Sequence, residues 1–185
     1  MMRNRVSAEA PYTADRPCAP PHSQPRCRRV RELVVAYRPM RDQEGRIISV
    51  PSVALSTPSV AAQIIAPLLA DQPVEIFAVA CLSARNRLLA WHIVSRGTRL
   101  STLVSIPDVF VPACVTPGTV ALLLSHNHPS GDPTPSEDDI ALTARVQAAA
   151  AVLDFSLLDH LIVGEGGQYY SFRAADRLGA TLAVR

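Results

Sequence analysis

Residues 125–139 read SHNHPSGDPTPSEDD. His126 and His128 stand one residue apart at the end of the apolar run TVALLLS (119–125). Pro129, Gly131, Pro133 and Pro135 shape a turn, and Ser136 and Asp139 stand at the mouth of a predicted helix over 137–153. Side chains two apart on an extended segment point the same way, so both imidazoles face one side. Two imidazoles and a carboxylate make three protein donors, the number a catalytic zinc site uses when its fourth position is left to water. The trio Glu137, Asp138 and Asp139 suits a helix N-terminus, whose partial positive charge favours anions. A carboxylate there would also shield that end from a neighbouring cation. Asp139 is one candidate for this role; Asp132 and Asp138 are the others. Alone, Ser136-x-x-Asp139 reads as a capping box, and an isolated H-x-H reads as surface decoration. The succession of strand end, rigid turn and acidic helix start is what points to a metal.

Outward from this stretch, short apolar runs alternate with helical patterns. Residues 30–37 and 47–50 are predicted strands. Thr57 caps a helix with Pro58 at its first position and Val60, Ile64 and Leu68 on one face, kinking or stopping near Pro67. Residues 75–82 (EIFAVACL) and 88–94 (LLAWHIV) form an antiparallel pair across the polar turn 83–87. A short helix is predicted over 107–115, closed by Pro117-Gly118. The helix over 137–153 carries Leu142, Val146, Ala149 and Leu153 on one face. Strands over 157–163 and 168–172 flank the glycines of GEGG, and the last dozen residues form a tail or short helix. Helices interleaved with partly antiparallel strands define an α/β fold, a three-layer sandwich around a mixed sheet.

The 185 residues, 48% hydrophobic, suffice for one domain with its own core. A (β/α)₈ barrel would need roughly 250. No apolar stretch reaches the roughly 18 residues of a membrane span, and the N-terminus shows no signal-peptide pattern. Cys81 and Cys114 sit in apolar runs and read as buried, reduced thiols. With only four cysteines, a disulfide scaffold is not expected and a cytoplasmic location is. All 18 basic residues are arginine, which removes a lysine base or Schiff-base nucleophile. Seven of them lie in residues 1–31 against Glu9 and Asp15, while the remainder carries eleven against fourteen acids. Residues 1–29, with five prolines and little apolar period, read as a disordered tail. The tail offers weak contact with nucleic acid phosphates. Cys18, His22 and Cys27 match no common zinc spacing.

Other chemistries built on H-x-H fit less well. A lactamase-type site needs H-x-H-x-D-H, but Asp132 lies four residues past His128 and no histidine follows it. Zincin H-E-x-x-H is absent. The run H-N-H-P-S-G-D-P-T-P-S-E-D-D closely resembles the RadC-like branch of the JAMM (MPN-plus) zinc metalloprotease family. That family's pattern is an early strand glutamate, H-x-H-P, and a serine eight positions after the second histidine followed by x-x-D. Glu75-Ile76-Phe77, Arg85-Asn86-Arg87-Leu88, Ser95-Arg96-Gly97-Thr98 and Leu158-Asp159-His160 extend the likeness over about residues 75–172.

The resemblance implies a fold of the MPN and cytidine-deaminase-like kind, with the RadC-like JAMM/MPN domain over 73–173 and residues 30–72 as an N-terminal extension packed on it. It implies His126, His128 and Asp139 as ligands of Zn²⁺ and Glu75 as general acid/base toward a zinc-bound water. Ser136 would assist at the oxyanion, and the substrate would be a peptide or isopeptide. A Ser136 hydroxyl committed to capping cannot also face an oxyanion. His160 and Asp159, as strand neighbours, point to opposite faces and do not form a dyad; His160 reads as structural or supporting. His92, mid-strand, packs or makes a hydrogen bond. The Pro-Arg-Glu run usual in such sequences is replaced by Ser105-Ile106-Pro107-Asp108-Val109, and no helix-hairpin-helix module is recognisable ahead of the domain. A non-catalytic, nucleic-acid-associated accessory role is the alternative reading.

Overall fold

A computed structural model describes residues 36–41, 44–69, 72–97 and 104–179. The chain divides into Met1–Ala36 and Tyr37–Arg185, and the architecture is that of the second unit. The tail over 1–29, most of the strand over 30–37 and the last six residues lie outside the described residues.

Helix α1 (Pro58–Leu69) leads into strands β1 (Ile76–Leu82) and β2 (Leu88–Arg96). Helix α2 (Ile106–Val115), strand β3 (Ala121–Asn127), helix α3 (Glu137–Val152), strand β4 (Ser156–Val163) and strand β5 (Tyr169–Ser171) follow, with a 3₁₀ turn at Glu165–Gly167. The five strands form one sheet in the order β2-β1-β3-β4-β5. β3 and β4 are parallel, joined by α3, and the other pairs are antiparallel. A parallel pair requires such a crossover.

One apolar layer packs α1 against Ile76, Ala80, Leu82, Leu123 and Leu161. The other packs α2 and α3 against Phe77, Val79, Cys81, Leu122 and Leu124. The α/β sandwich around a mixed sheet is therefore as the sequence predicts. β1 and β3 are buried at every position, as strands covered on both faces must be.

Several local readings change. Residues 47–50 are not a strand; Ile47 makes only an isolated bridge to Arg41. On α1 the fully buried face is Ala61, Ala62, Ile65, Ala66 and Leu69, with Val60, Ile64 and Leu68 on its flanks. Three alanines share this face with Ile65 and Leu69, so the buried stripe is shifted from the one that the larger apolar residues alone suggest. Pro67 sits inside α1, which stops two residues later at Leu69. On α3 the buried positions are Asp139, Leu142, Thr143, Val146 and Ala150, while Leu153 is exposed. Residues 174–179 form a turn and loop rather than a helix. Cys81 is buried and Cys114 is exposed, both as free thiols. No helix among the described residues is long and apolar enough to cross a membrane.

β4 carries a register shift: Leu122 pairs with Leu157 but Leu123 pairs with Asp159, leaving Leu158 as an extra residue. Such a bulge reverses the alternation of every side chain beyond it. Asp159 thereby turns to Ser171, whose hydroxyl donates to it at 2.6 Å, while His160 turns to the face of His126.

The loop after β3 is clamped to the end of β4. His128 N–H donates to Val163 O (3.0 Å) and Glu165 N–H to Gly131 O (2.9 Å). At Gly164 a Cβ would overlap the Gly131 carbonyl oxygen and come within 2.8 Å of Pro133 Cδ. Gly164→Ala is expected to destabilise the fold by about 1–3 kcal/mol, as overpacking does. A thermal melt checks this, and an unchanged midpoint would show that the loop yields freely.

Candidate metal centre

β3 delivers His126 as its next-to-last residue, fully buried, with its ring stacked on Phe77 of β1. His128 follows the strand end, partly exposed. Its Nδ1–H donates to the Asp132 carbonyl oxygen at 2.7 Å. A carbonyl only accepts, so the His128 tautomer is fixed and its Nε2 lone pair faces the site. The two Nε2 atoms stand 3.0 Å apart.

Asp139 enters from the first turn of α3. Its Oδ1 lies 3.2 Å from His126 Nε2 and its Oδ2 3.6 Å from His128 Nε2. Oδ2 also accepts from Ser136 N–H (2.8 Å) and from the Ser136 hydroxyl (2.5 Å), while Asp139 N–H donates back to Ser136 Oγ (3.2 Å). This is a capping box in which aspartate takes the usual place of glutamate. It presents the carboxylate to the histidines in one fixed pose. The Ser136 hydroxyl proton is directed at Asp139, so the structure places it in the cap.

Glu75 immediately precedes β1. Asn127, between the two histidines, holds its backbone from both sides: Nδ2 donates to Val74 O (3.1 Å) and Oδ1 accepts from Ile76 N–H (2.9 Å). One potential donor atom each from Glu75, His126 and His128 lies within 4.8 Å of the others. Glu75, His126, His128 and Asp139 thus meet at one end of the sheet, and Ser136 joins them through Asp139. The contribution of Asn127 had no local sequence signal beyond its place in H-N-H. Asp132 enters the site through its backbone carbonyl alone, its carboxylate accepting from Thr134 N–H. Asp138 is exposed. His92 is exposed on β2.

Burial pushes the Glu75 carboxyl up from 4.5 to about 7; nearby His128 opposes this and Asp139 adds to it. Burial also pushes the Asp139 carboxyl up, but the His128 bond, the neighbouring His126 ring and the Ser136 bonds outweigh it and hold the group well below the usual carboxylate range. His126 is driven far toward neutrality, chiefly by burial and then by His160. His128 is raised, first by its contact with Asp139. Two buried carboxylate oxygens, Glu75 Oε1 and Asp139 Oδ1, have no hydrogen-bond donor. Unpaired buried carboxylate oxygens are costly. Ligands about 2.0–2.1 Å from a tetrahedral ion sit roughly 3.3–3.4 Å apart, close to the separations of the two imidazoles and Asp139. The donor set therefore fits zinc.

A raised carboxyl is one that the folded chain keeps protonated after the unfolded chain has released its proton. For Glu75 this stabilises the metal-free fold fully below about 4.5 and is lost as pH rises through about 7. The metal-free protein is expected to show a falling urea midpoint over that window, and Glu75→Gln a shallower fall. Equal slopes would remove Glu75 from the account.

A cavity of about 540 Å³ opens beside His128, walled by Ala66, Pro67 and Leu69 of α1 and by residues 163–167. That volume is in the range of small-ligand sites.

A family model of the RadC-like JAB domain matches residues 55–178. The chain belongs to the RadC-like JAB domain family. The matched region includes α1 and the whole sheet of this RadC-like, JAMM/MPN-type domain. Among curated relatives, UPF0758 protein STH371 of Symbiobacterium thermophilum is 42% identical over 121 residues, 65% of this chain and 51% of that protein. UPF0758 protein tlr1707 of Thermosynechococcus vestitus is 39% identical over 119 residues, 64% of this chain and 47% of that protein. A UPF0758 protein of Porphyromonas gingivalis is 43% identical over 108 residues, 58% of this chain and 47% of that protein. The chain spans about half the length of the curated relatives it matches.

Proposed function

We propose that this chain is a zinc-dependent hydrolase of amide bonds, acting on a peptide or an isopeptide-linked protein. The observation that supports this most is the convergence of His126, His128 and Asp139 beside a half-buried Glu75 whose carboxyl burial pushes up to about 7. Zinc held by the first three would polarise a carbonyl and acidify water. Glu75, with a pKa near 7, would take a proton from that water near neutral pH and pass it to the departing amine. Asn127 keeps the Glu75 backbone in place while this happens. Ser136 orients Asp139; service at the oxyanion would require its hydroxyl to leave the cap. The cavity beside His128 would receive a substrate side chain. The free thiols of Cys81 and Cys114 suit a reducing cytoplasm.

The test is hydrolysis of internally quenched peptides and an isopeptide-linked conjugate by zinc-loaded and chelator-treated protein. Cleavage that disappears with the chelator and returns with zinc is expected. Turnover unaffected by chelation would refute the proposal. The seven arginines of residues 1–31 support a second reading, a nucleic-acid-associated accessory role. Its mark would be salt-dependent DNA binding lost on removing those residues.

A further inference from the structure

The direction of one hydrogen-bond chain behind the metal centre is fixed by its last member. Thr143 lies one turn after Asp139 on α3, and its hydroxyl donates to the Asp139 carbonyl oxygen at 2.5 Å. A carbonyl only accepts, and a hydroxyl has one proton to give. Toward His160 Nδ1, 2.6 Å away, Thr143 Oγ1 must therefore accept. His160 Nδ1 carries the hydrogen. The ring is fully buried, stacked on Phe172 at 5.0 Å and met edge-on by Phe77 at 5.7 Å. A ring enclosed between two aromatic side chains and shut off from water is held neutral, because burial disfavours the charged imidazolium. A neutral ring with hydrogen on Nδ1 has a bare Nε2. That atom accepts from His126 Nδ1–H at 2.9 Å. His126, neutral in its turn, is left with Nε2 unprotonated and aimed at Asp139 Oδ1 and His128 Nε2.

We propose that His160 and Thr143 are positioning residues that lock His126 in the tautomer a divalent cation requires. The chain runs from the ring of one donor to the backbone of another, so it also fixes His126 and Asp139 relative to each other. The bulge at Leu158 gives His160 this orientation. Without it His160 would turn to the α1 face. The inference rests on reading the site as a metal centre, and it concerns a residue outside the donor set.

A merely structural role would need only a flat ring stacked on Phe172. His160→Phe keeps that shape and loses the acceptor, whereas His160→Gln can restore an acceptor near the position of Nε2. Zinc affinity is measured by competition with a chromogenic chelator, and the His126 tautomer by long-range imidazole ¹⁵N–¹H correlation on the metal-free protein. His160→Phe is expected to weaken zinc binding about 10–100-fold, the usual cost of losing a partner behind a metal-binding histidine. It should also move the His126 hydrogen to Nε2, where Asp139 Oδ1 accepts it. His160→Gln should recover most of the affinity, and Thr143→Val should show a smaller loss in the same direction. Wild-type affinity and an unchanged tautomer in His160→Phe overturn the inference and leave the metal centre standing. Absence of zinc binding by the wild type overturns both. If His160→Phe does not fold, undiminished affinity in Thr143→Val overturns the inference instead.

Discussion

Glu75→Gln is expected to bind one zinc per chain and to have lost about 10²–10⁴-fold of its hydrolytic rate, the contribution typical of a positioned general base. Glutamine keeps the shape of the side chain and cannot take up a proton. The same variant separates two donor sets at this site. Glu75 is close enough to His126 and His128 to be a ligand itself, within 4.8 Å of both, and the Asp139 oxygens also reach both imidazole nitrogens, at 3.2 and 3.6 Å. If Asp139 is the third ligand, zinc stays and turnover goes. If Glu75 is, both go together. Metal content after gel filtration, alongside the rate on a quenched peptide, distinguishes these outcomes. Retention of both would remove Glu75 from the chemistry.

Asp139→Ala is expected to abolish zinc-dependent stabilisation. A ligand at 100 times its dissociation constant stabilises the fold that binds it by about 2.7 kcal/mol. At about 2–4 °C per kcal/mol for a domain of this size, wild-type Tm should rise roughly 5–10 °C with zinc. The alanine variant should show no rise. It should also start lower, because Asp139 accepts from Ser136 N–H and Oγ, and loss of helix capping costs about 0.5–2 kcal/mol. Asp139→Asn separates the two effects, since its amide oxygen can still accept from Ser136 N–H while the anionic donor is gone. A zinc-induced rise in Asp139→Ala equal to that of the wild type would place the ion elsewhere.

The three candidate ligands were legible in the sequence because their geometry is local. Strand end, turn and helix start lie within 14 residues of one another, and the periodicities of strand and helix determine where each side chain points. Glu75 is different. It meets the histidines only because β1 pairs with β3, so that Phe77 lies opposite His126. No pattern around Glu75 announces this, and the family resemblance alone singled it out. His160 shows a limit of counting alternate residues. Alternation correctly separates it from Asp159, but the bulge at Leu158 decides which of the two faces the site, and a bulge in an apolar run leaves no mark in composition. The apolar stretch over 47–50 misled for the opposite reason: its residues suit a strand, but the one bridge it makes is to Arg41, outside the sheet, and without a paired neighbour there is no ladder. The face of α1 was displaced because three alanines, silent in a hydrophobic pattern, are buried beside Ile65 and Leu69.

The most direct test of the central claim is zinc K-edge X-ray absorption of the zinc-loaded protein. The account predicts a four-coordinate site of nitrogen and oxygen neighbours at about 2.0–2.1 Å, with the multiple-scattering signature of two imidazoles that is lost in His126→Ala. Sulfur neighbours at about 2.3 Å, or an imidazole signature that survives in His126→Ala, would contradict it.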